Sequence, residues 1–305
     1  MNIEYMFDKA NIQIRDPFIL KVDNEKRYYL YGTTDKNAWT GPAEGFDVYK
    51  SVDLESWEGP FPAFRPQPNF WANMNFWAPE VHEYNGKYYM LASFKAEGVS
   101  RGTQVLVADD PLGPFQPHSD GPVTPKDWEC LDGTLYIDNN NQPWMVFCHE
   151  WMQIKIGTID AIKLSESLDR AIGEPITLFT AIEAPWVTQM PLPEEARILY
   201  PDASYYVTDG PFLHRCQDGS LLMLWSSFKN GMYAQGIAVS LSGEIQGPWV
   251  QNEDPIFESD GGHGMIFRTF EGQLKLALHS PNDSPNERPI FIDLNEKDNK
   301  LVVAR

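Results

Sequence analysis

The sequence is short of positive charge. Its 305 residues hold 24 Lys and Arg against 43 Asp and Glu, a formal charge of −19, and no run of basic residues occurs. Phosphate backbones and anionic headgroups are bound by clustered basic side chains, so this reading excludes nucleic acid and membrane surfaces as partners and expects a neutral or cationic ligand. Cysteine is scarce as well. Cys130, Cys148 and Cys216 are odd in number and form no Cys-x-x-Cys pair, which argues against a disulfide framework or a cysteine-zinc site and for small buried apolar residues. No segment approaches the roughly 18 successive apolar residues of a membrane helix, and the opening residues lack the basic-then-apolar pattern of a leader. The expectation is a cytoplasmic chain, or a secreted or periplasmic one where a leader has been removed.

What is present is aromatic side chain and turn residue. Phe, Trp and Tyr make up 13% of the chain beside 24 Pro and 22 Gly, a mixture that favours strands punctuated by turns and so an all-β fold. Five segments share one plan, a polar head beside Pro or Gly, a β-rich run, a polar turn and a second run. The heads are Asp16, Glu80, Asp132, Asp209 and His263, and the turns include Asn85-Gly86, Asp218-Gly219 and Glu271-Gly272, which are hairpin signals. They recur about every 60 residues. Further strands follow several hairpins and end at Gly113-Pro114-Phe115 or Gly247-Pro248-Trp249. Four-stranded units repeated five times fit a five-bladed β-propeller, with residues 1–305 as one domain around a central channel. Two packed β-sandwiches are the competing architecture, and short helical turns are expected within 164–171 and 193–198.

In a propeller the first strand of each blade lines the channel, so the five heads converge. A single Asp before Gly or Pro is usually a turn former, but four carboxylates and an imidazole at equivalent places suggest chemistry. Crowded carboxylates acquire divergent pKa values, which general acid/base catalysis requires. A protonated acid and an ionised base flanking a glycosidic bond can hydrolyse it. Trp71, Phe76, Trp77, Trp151 and Trp186 are candidate platforms for sugar CH faces, each with core packing as the plain alternative.

These motifs resemble glycoside hydrolase family 43, the five-bladed propeller arabinofuranosidases, xylosidases and arabinanases, over nearly the whole chain. Arg15-Asp16-Pro17 is similar to the family's opening motif, which implies Asp16 as the general base. Trp77-Ala78-Pro79-Glu80 resembles the motif whose Trp and Glu shape the sugar pocket. Leu131-Asp132 resembles the motif whose Asp orients the acid and tunes its pKa. Gly262-His263-Gly264 resembles the motif whose His sits in the channel beside a metal ion or water. The resemblance thus implies an inverting hydrolase of α-L-arabinofuranosides or β-D-xylosides with a carbohydrate partner. It implies no required cofactor, with His263 the candidate ligand of a Ca²⁺ in the channel; oligomeric state stays open.

One departure stands out. The family's acid is usually Glu in Glu-Gly-Pro, whereas Asp209 precedes Gly210-Pro211 here. Asp is one methylene shorter, roughly 1.5 Å less reach, and misplacement by about an ångström can cost ~10²-fold in rate. Three readings follow: Asp209 as the acid, Glu150 in its stead, or a sugar-binding propeller without catalysis. Asp16, Asp132 and Asp209 are therefore the candidate catalytic residues. Phe76, Trp77, Glu80, Glu150, Trp151 and His263 are the candidate binding residues, and the loop 181–206 is expected to choose between arabinofuranose and xylopyranose.

Overall fold

The computed structural model describes residues 6–192, 194, 198, 204–297 and 300–304. Among them, five antiparallel sheets form a five-bladed propeller. Blade one contains β1 (Met6–Asp8), β2 (Arg15–Val22), β3 (Arg27–Thr33), β4 (Phe46–Ser51) and β5 (Ser56–Phe64). Blade two is β6 (Met74–Tyr84), β7 (Lys87–Ala96), β8 (Val99–Ala108) and β9 (Gln116–Pro122). Blade three is β10 (Cys130–Ile137), β11 (Pro143–His149), β12 (Thr158–Leu164) and β13 (Ala171–Thr180). Blade four is β14 (Asp209–Arg215), β15 (Leu221–Lys229), β16 (Met232–Ser240) and β17 (Trp249–Gln251). Blade five is β18 (Gly262–Arg268), β19 (Leu274–Ser280), β20 (Arg288–Lys297) and β21 (Lys300–Val303).

All five expected hairpins are present, and each pairs the first two strands of a blade, with β2 counted as the first in blade one. The uniform four-strand plan needs one amendment, because β1 pairs antiparallel with β5 and adds a fifth strand to blade one. The segment 164–171 is a turn rather than a helix: the Ser165 N–H donates to the Arg170 carbonyl, and Ser165 Oγ donates to Asp169 at 2.6 Å. Ser and Asp here offer the backbone a competing local bond, which favours turns over helices. The expected turn at 193–198 falls largely outside the described residues. No helix is long and apolar enough to cross a membrane among the described residues.

The packed faces lie between blades. Phe46, Phe64, Phe76 and Phe94 form a buried aromatic cluster between blades one and two, with ring centroids 4.8–6.2 Å apart. Burying one such ring contributes about 1.5–3 kcal/mol. Trp225, Trp186 and Phe179 fill the corresponding space between blades three and four. All three cysteines are buried and free.

The first strand of every blade carries a bulge at its head, seen as a register shift against the second strand. One residue of each bulge is left-handed: Asp16, Ala78, Asp132, Gly210 and His263, with φ of 55, 46, 56, 52 and 50°. The equivalence expected from the sequence is therefore shifted in two blades. Asp209 precedes its bulge residue by one position and Glu80 follows its own by two. Bulges re-aim side chains, and here they turn Asp16, Asp132, Asp209 and His263 toward one cavity at the mouth of the channel.

A ring of hydrogen bonds links these heads. The Ala78 N–H donates to Thr33 Oγ1 at 2.8 Å, Asp132 N–H to Ser93 Oγ at 2.9 Å, and His263 N–H to Ser226 Oγ at 2.8 Å. In each case the acceptor comes from the second strand of the preceding blade. Between blades three and four that place is held by Cys148, opposite Leu131, and the Gly210 N–H donates instead to Asp132 Oδ2 at 3.0 Å. Between blades five and one the acceptor is His279, whose Nδ1 receives the Asp16 N–H at 3.1 Å. The ring is closed by this bond, by the Ile14 N–H donating to the Glu287 carbonyl at 3.4 Å and by side-chain packing, since β1 pairs within its own blade. Arg15 adds an ion pair to Glu287 at 2.9 Å, and Tyr28 Oη accepts from the Phe270 N–H at 2.8 Å.

Candidate active site

At the channel mouth lies a cavity of about 490 Å³, within the range of small-ligand sites. Asp16, Asp132, Asp209 and His263 all line it, drawn from blades one, three, four and five. Trp77, Glu150 and Trp151 line it too.

Asp16 sits in a web that favours its ionised form. Thr33 donates to Oδ2 at 2.6 Å, and His263 Nδ1 lies 3.2 Å from Oδ1. Burial pushes this carboxyl up, but His263, the Arg15 guanidinium and the Thr33 bond together bring it below the usual aspartate value. His279 is held neutral, its pKa lowered to about 3 by burial and then by Arg15. A neutral ring is what lets Nδ1 accept the Asp16 N–H, so the proton belongs on Nε2.

Asp209 sits in the opposite environment. Burial, then the charge of Asp132, raises its pKa to about 7. Tyr233 donates to Asp209 Oδ2 at 3.1 Å, which leaves Oδ1 to carry a proton. Asp132 is pushed well above the ordinary range by burial, then by Asp16. Its Oδ2 accepts from the Gly210 N–H and lies 3.6 Å from His263 Nδ1. Asp132 thereby fixes the backbone just after Asp209. Gly210 is required there: besides its positive φ, a Cβ would meet the His263 ring at 2.7 Å.

Glu150 and Trp77 are joined through Arg101. The guanidinium lies 3.7 Å from the Trp77 ring centroid, and its Nε is 3.5 Å from Glu150 Oε2. Arg101 is 4% exposed, and its Nε and Nη1 have no hydrogen-bond partner among the described residues. Trp151 opens a single-turn helix, α1 (Trp151–Ile154), directly after Glu150 and packs at 5.0 Å on Tyr205.

Phe76 and Glu80 do not line the cavity. Adjacent strand residues face opposite ways, so with Trp77 at the cavity, Phe76 points into the aromatic cluster between blades one and two. Glu80 is buried, its Oε2 3.1 Å from His82 Nε2. Trp186 is also absent from the cavity: a side chain at Gly236 would collide with its ring, so the indole packs closely against blade four. Trp71 belongs to a different cavity. The cavity also uses residues that no motif in the sequence marked, namely Thr33, Tyr233, Asn282 and Trp39. Trp39 is 51% exposed at the rim, 5.0 Å from Arg15 and 5.3 Å from Trp77.

For a calcium ion His263 offers one nitrogen, while the nearest carboxylates are already bonded to Thr33, His263 and Gly210. A hard cation that takes six to eight oxygens finds a poor donor set here. Elsewhere among the described residues, His214, Cys216 and Glu296 could surround a metal. Glu296 is however occupied by Arg268 at 2.7 Å, His214 at 3.0 Å and the Gln217 N–H at 2.9 Å, a network that is complete without an ion.

Comparison with known proteins places nearly the whole chain among glycoside hydrolases. A structure from Bacteroides thetaiotaomicron described as an endo-arabinase superposes with a TM-score of 0.87 at 41% identity, covering 96% of this chain and 98% of its own. The extracellular endo-alpha-(1->5)-L-arabinanase 1 of Bacillus subtilis is 25% identical over 267 residues, 83% of this chain and 72% of its own. The extracellular exo-alpha-(1->5)-L-arabinofuranosidase ArbA of Cellvibrio japonicus is 23% identical over 308 residues, 90% of this chain and 81% of its own. Residues 10–296 match the family model Glycosyl hydrolases family 43, so the chain belongs to that family and is a glycosidase that hydrolyses O-glycosyl bonds.

Proposed function

We propose that the chain is an inverting hydrolase of α-L-arabinofuranosyl linkages in arabinan or its oligosaccharides. The observation that carries the mechanism is the opposed displacement of two carboxyls facing one cavity, Asp16 downward and Asp209 upward to about 7. Asp16, ionised, takes a proton from the attacking water. Asp209, protonated, gives one from Oδ1 to the departing oxygen, and the anomeric carbon inverts between them. The positive charge that develops on the ring is stabilised by the ionised carboxylate already in place. Asp132 holds Gly210 and so aims Asp209, while Glu150, held by Arg101, remains a pocket residue. The names of the relatives favour arabinan over xylan.

The test is hydrolysis of debranched arabinan and of nitrophenyl α-L-arabinofuranoside and β-D-xyloside by the parent chain, Asp209→Asn and Glu150→Gln. Proton NMR of the first-formed anomer reads the stereochemistry. The expected result is inversion on an arabinoside, with Asp209→Asn reduced by roughly 10²–10⁴-fold and Glu150→Gln by far less. Collapse of Glu150→Gln alone would transfer the acid's role to Glu150. Binding of arabino-oligosaccharides without hydrolysis by the parent would leave a sugar-binding propeller.

A further inference from the structure

A second cavity, of about 450 Å³, shares no residue with the first and lies between the 65–73 connection and the edge strand β9. Its lining differs in kind. Trp71 and Phe70 supply half-buried rings, while Gln67, Asn69 and Gln116 supply exposed amides. Among the described residues the one ionisable side chain on its wall is Asp120, in a chain where 22% of residues are charged. A neighbouring groove, by contrast, is lined by Lys126, Asp169, Arg170 and Glu174.

The indole is fixed before any ligand arrives. Trp71 Nε1 donates to Gln104 Oε1 at 2.6 Å, and Gln104 Nε2 in turn donates to the Ser119 carbonyl at 2.9 Å. Gln104 is 2% exposed, so this support is rigid. A held aromatic face beside free amides matches a ligand with apolar CH faces and many hydroxyls, and a preset ring loses little entropy on binding. The near absence of charge argues against an ionic ligand.

We infer that this cavity is a second carbohydrate site, binding a neutral pentose chain at a distance from the catalytic cavity. The pentose identity rests on the proposed arabinan specificity; the site itself does not. It retains the polymer beside the enzyme and contributes nothing to the cleavage of short substrates.

The experiment compares the parent chain with Trp71→Ala and with the double variant Gln67→Ala/Asn69→Ala, whose exposed positions spare the fold. Affinity electrophoresis in gels containing debranched arabinan or arabinoxylan measures polymer binding. kcat/KM on nitrophenyl α-L-arabinofuranoside and β-D-xyloside measures the catalytic cavity. The site predicts that both variants lose about tenfold in polymer affinity while small-substrate kcat/KM stays within twofold. Unchanged polymer affinity in the double variant overturns it, as does an equal loss on the small substrates. Retention on arabinoxylan that disappears with the variants, in a chain inert toward arabinan, would uphold this site and reject the arabinan reading. A parent chain that binds neither polymer rejects the site.

Discussion

Replacing Asp209 by asparagine should yield a chain that is nearly inactive yet more stable at alkaline pH. The carboxyl titrates at about 7 when folded against a reference value of 3.8. Between these values the folded state keeps a proton that the unfolded state has released, so stability falls as pH rises, and above 7 a buried charge remains. The full gap corresponds to about 4 kcal/mol, and water in the cavity screens this to a gain on the order of 2 kcal/mol. Urea unfolding should show Asp209→Asn ahead of the parent at pH 8 and level with it near pH 4. With Asp209 as the proposed acid, the same titration sets the alkaline limb of kcat/KM, which should fall above about pH 7 as the carboxyl loses its proton. Arg101 offers a contrasting case. Arg101→Met leaves the Glu150 carboxylate buried without its partner, which typically costs about 3–5 kcal/mol. Adding Glu150→Gln removes that charge and should restore part of the loss; a double variant no more stable than Arg101→Met would show that ring stacking on Trp77, not charge pairing, is what Arg101 supplies.

Among the elements, the bulged first strands determine which residues meet. Ser226→Ala would strand the buried His263 N–H without an acceptor, at about 1–3 kcal/mol, and loosen the ring that contacts Asp16. Thermal denaturation should register that cost, and kcat should drop more than KM rises if His263 aligns the reacting groups rather than gripping the sugar. The strands themselves were legible in the sequence, because each hairpin pairs a polar turn with two apolar or aromatic runs. Asp16, Asp132 and His263 were legible as equivalent heads because each is itself the left-handed bulge residue. The offsets at Asp209 and Glu80 were not, since Gly210 and Ala78 hold the bulge positions there and carry no signal in a linear pattern. Phe76 and Trp77 show a second limit: both are aromatic, and only the packed cluster between two blades decides which one faces the cavity. Tyr233 and His279 reach the site from a third and a second strand respectively, where no motif marks them, and His279 lies in a run, Leu276-Ala277-Leu278-His279, that reads as plain core.

On the scale of the whole molecule, two buried groups push stability in opposite directions with pH. His279 titrates at about 3 when folded against 6.5 in the reference state. Between those values the unfolded chain binds the extra proton, so this residue destabilises the fold as pH falls from 6.5 toward 3, where Asp209 does the reverse. His279→Phe should flatten the acid side of the stability profile while lowering stability at pH 7, since the Asp16 N–H loses its acceptor; an unaltered acid slope would mean that another group governs acid unfolding. The seam between blades five and one also has a kinetic consequence. It is closed by the bond to His279, the backbone bond from the Ile14 N–H to the Glu287 carbonyl, the Phe270–Tyr28 bond, the Arg15–Glu287 pair and packed side chains, with no strand shared across it. Asp16 lies on one side of that gap, and His263 and Asp209 lie on the other. A ring that springs at this join separates the proposed base from the proposed acid while leaving every sheet intact, so on slow heating catalytic activity should vanish several degrees before the far-ultraviolet signal of the strands begins to change.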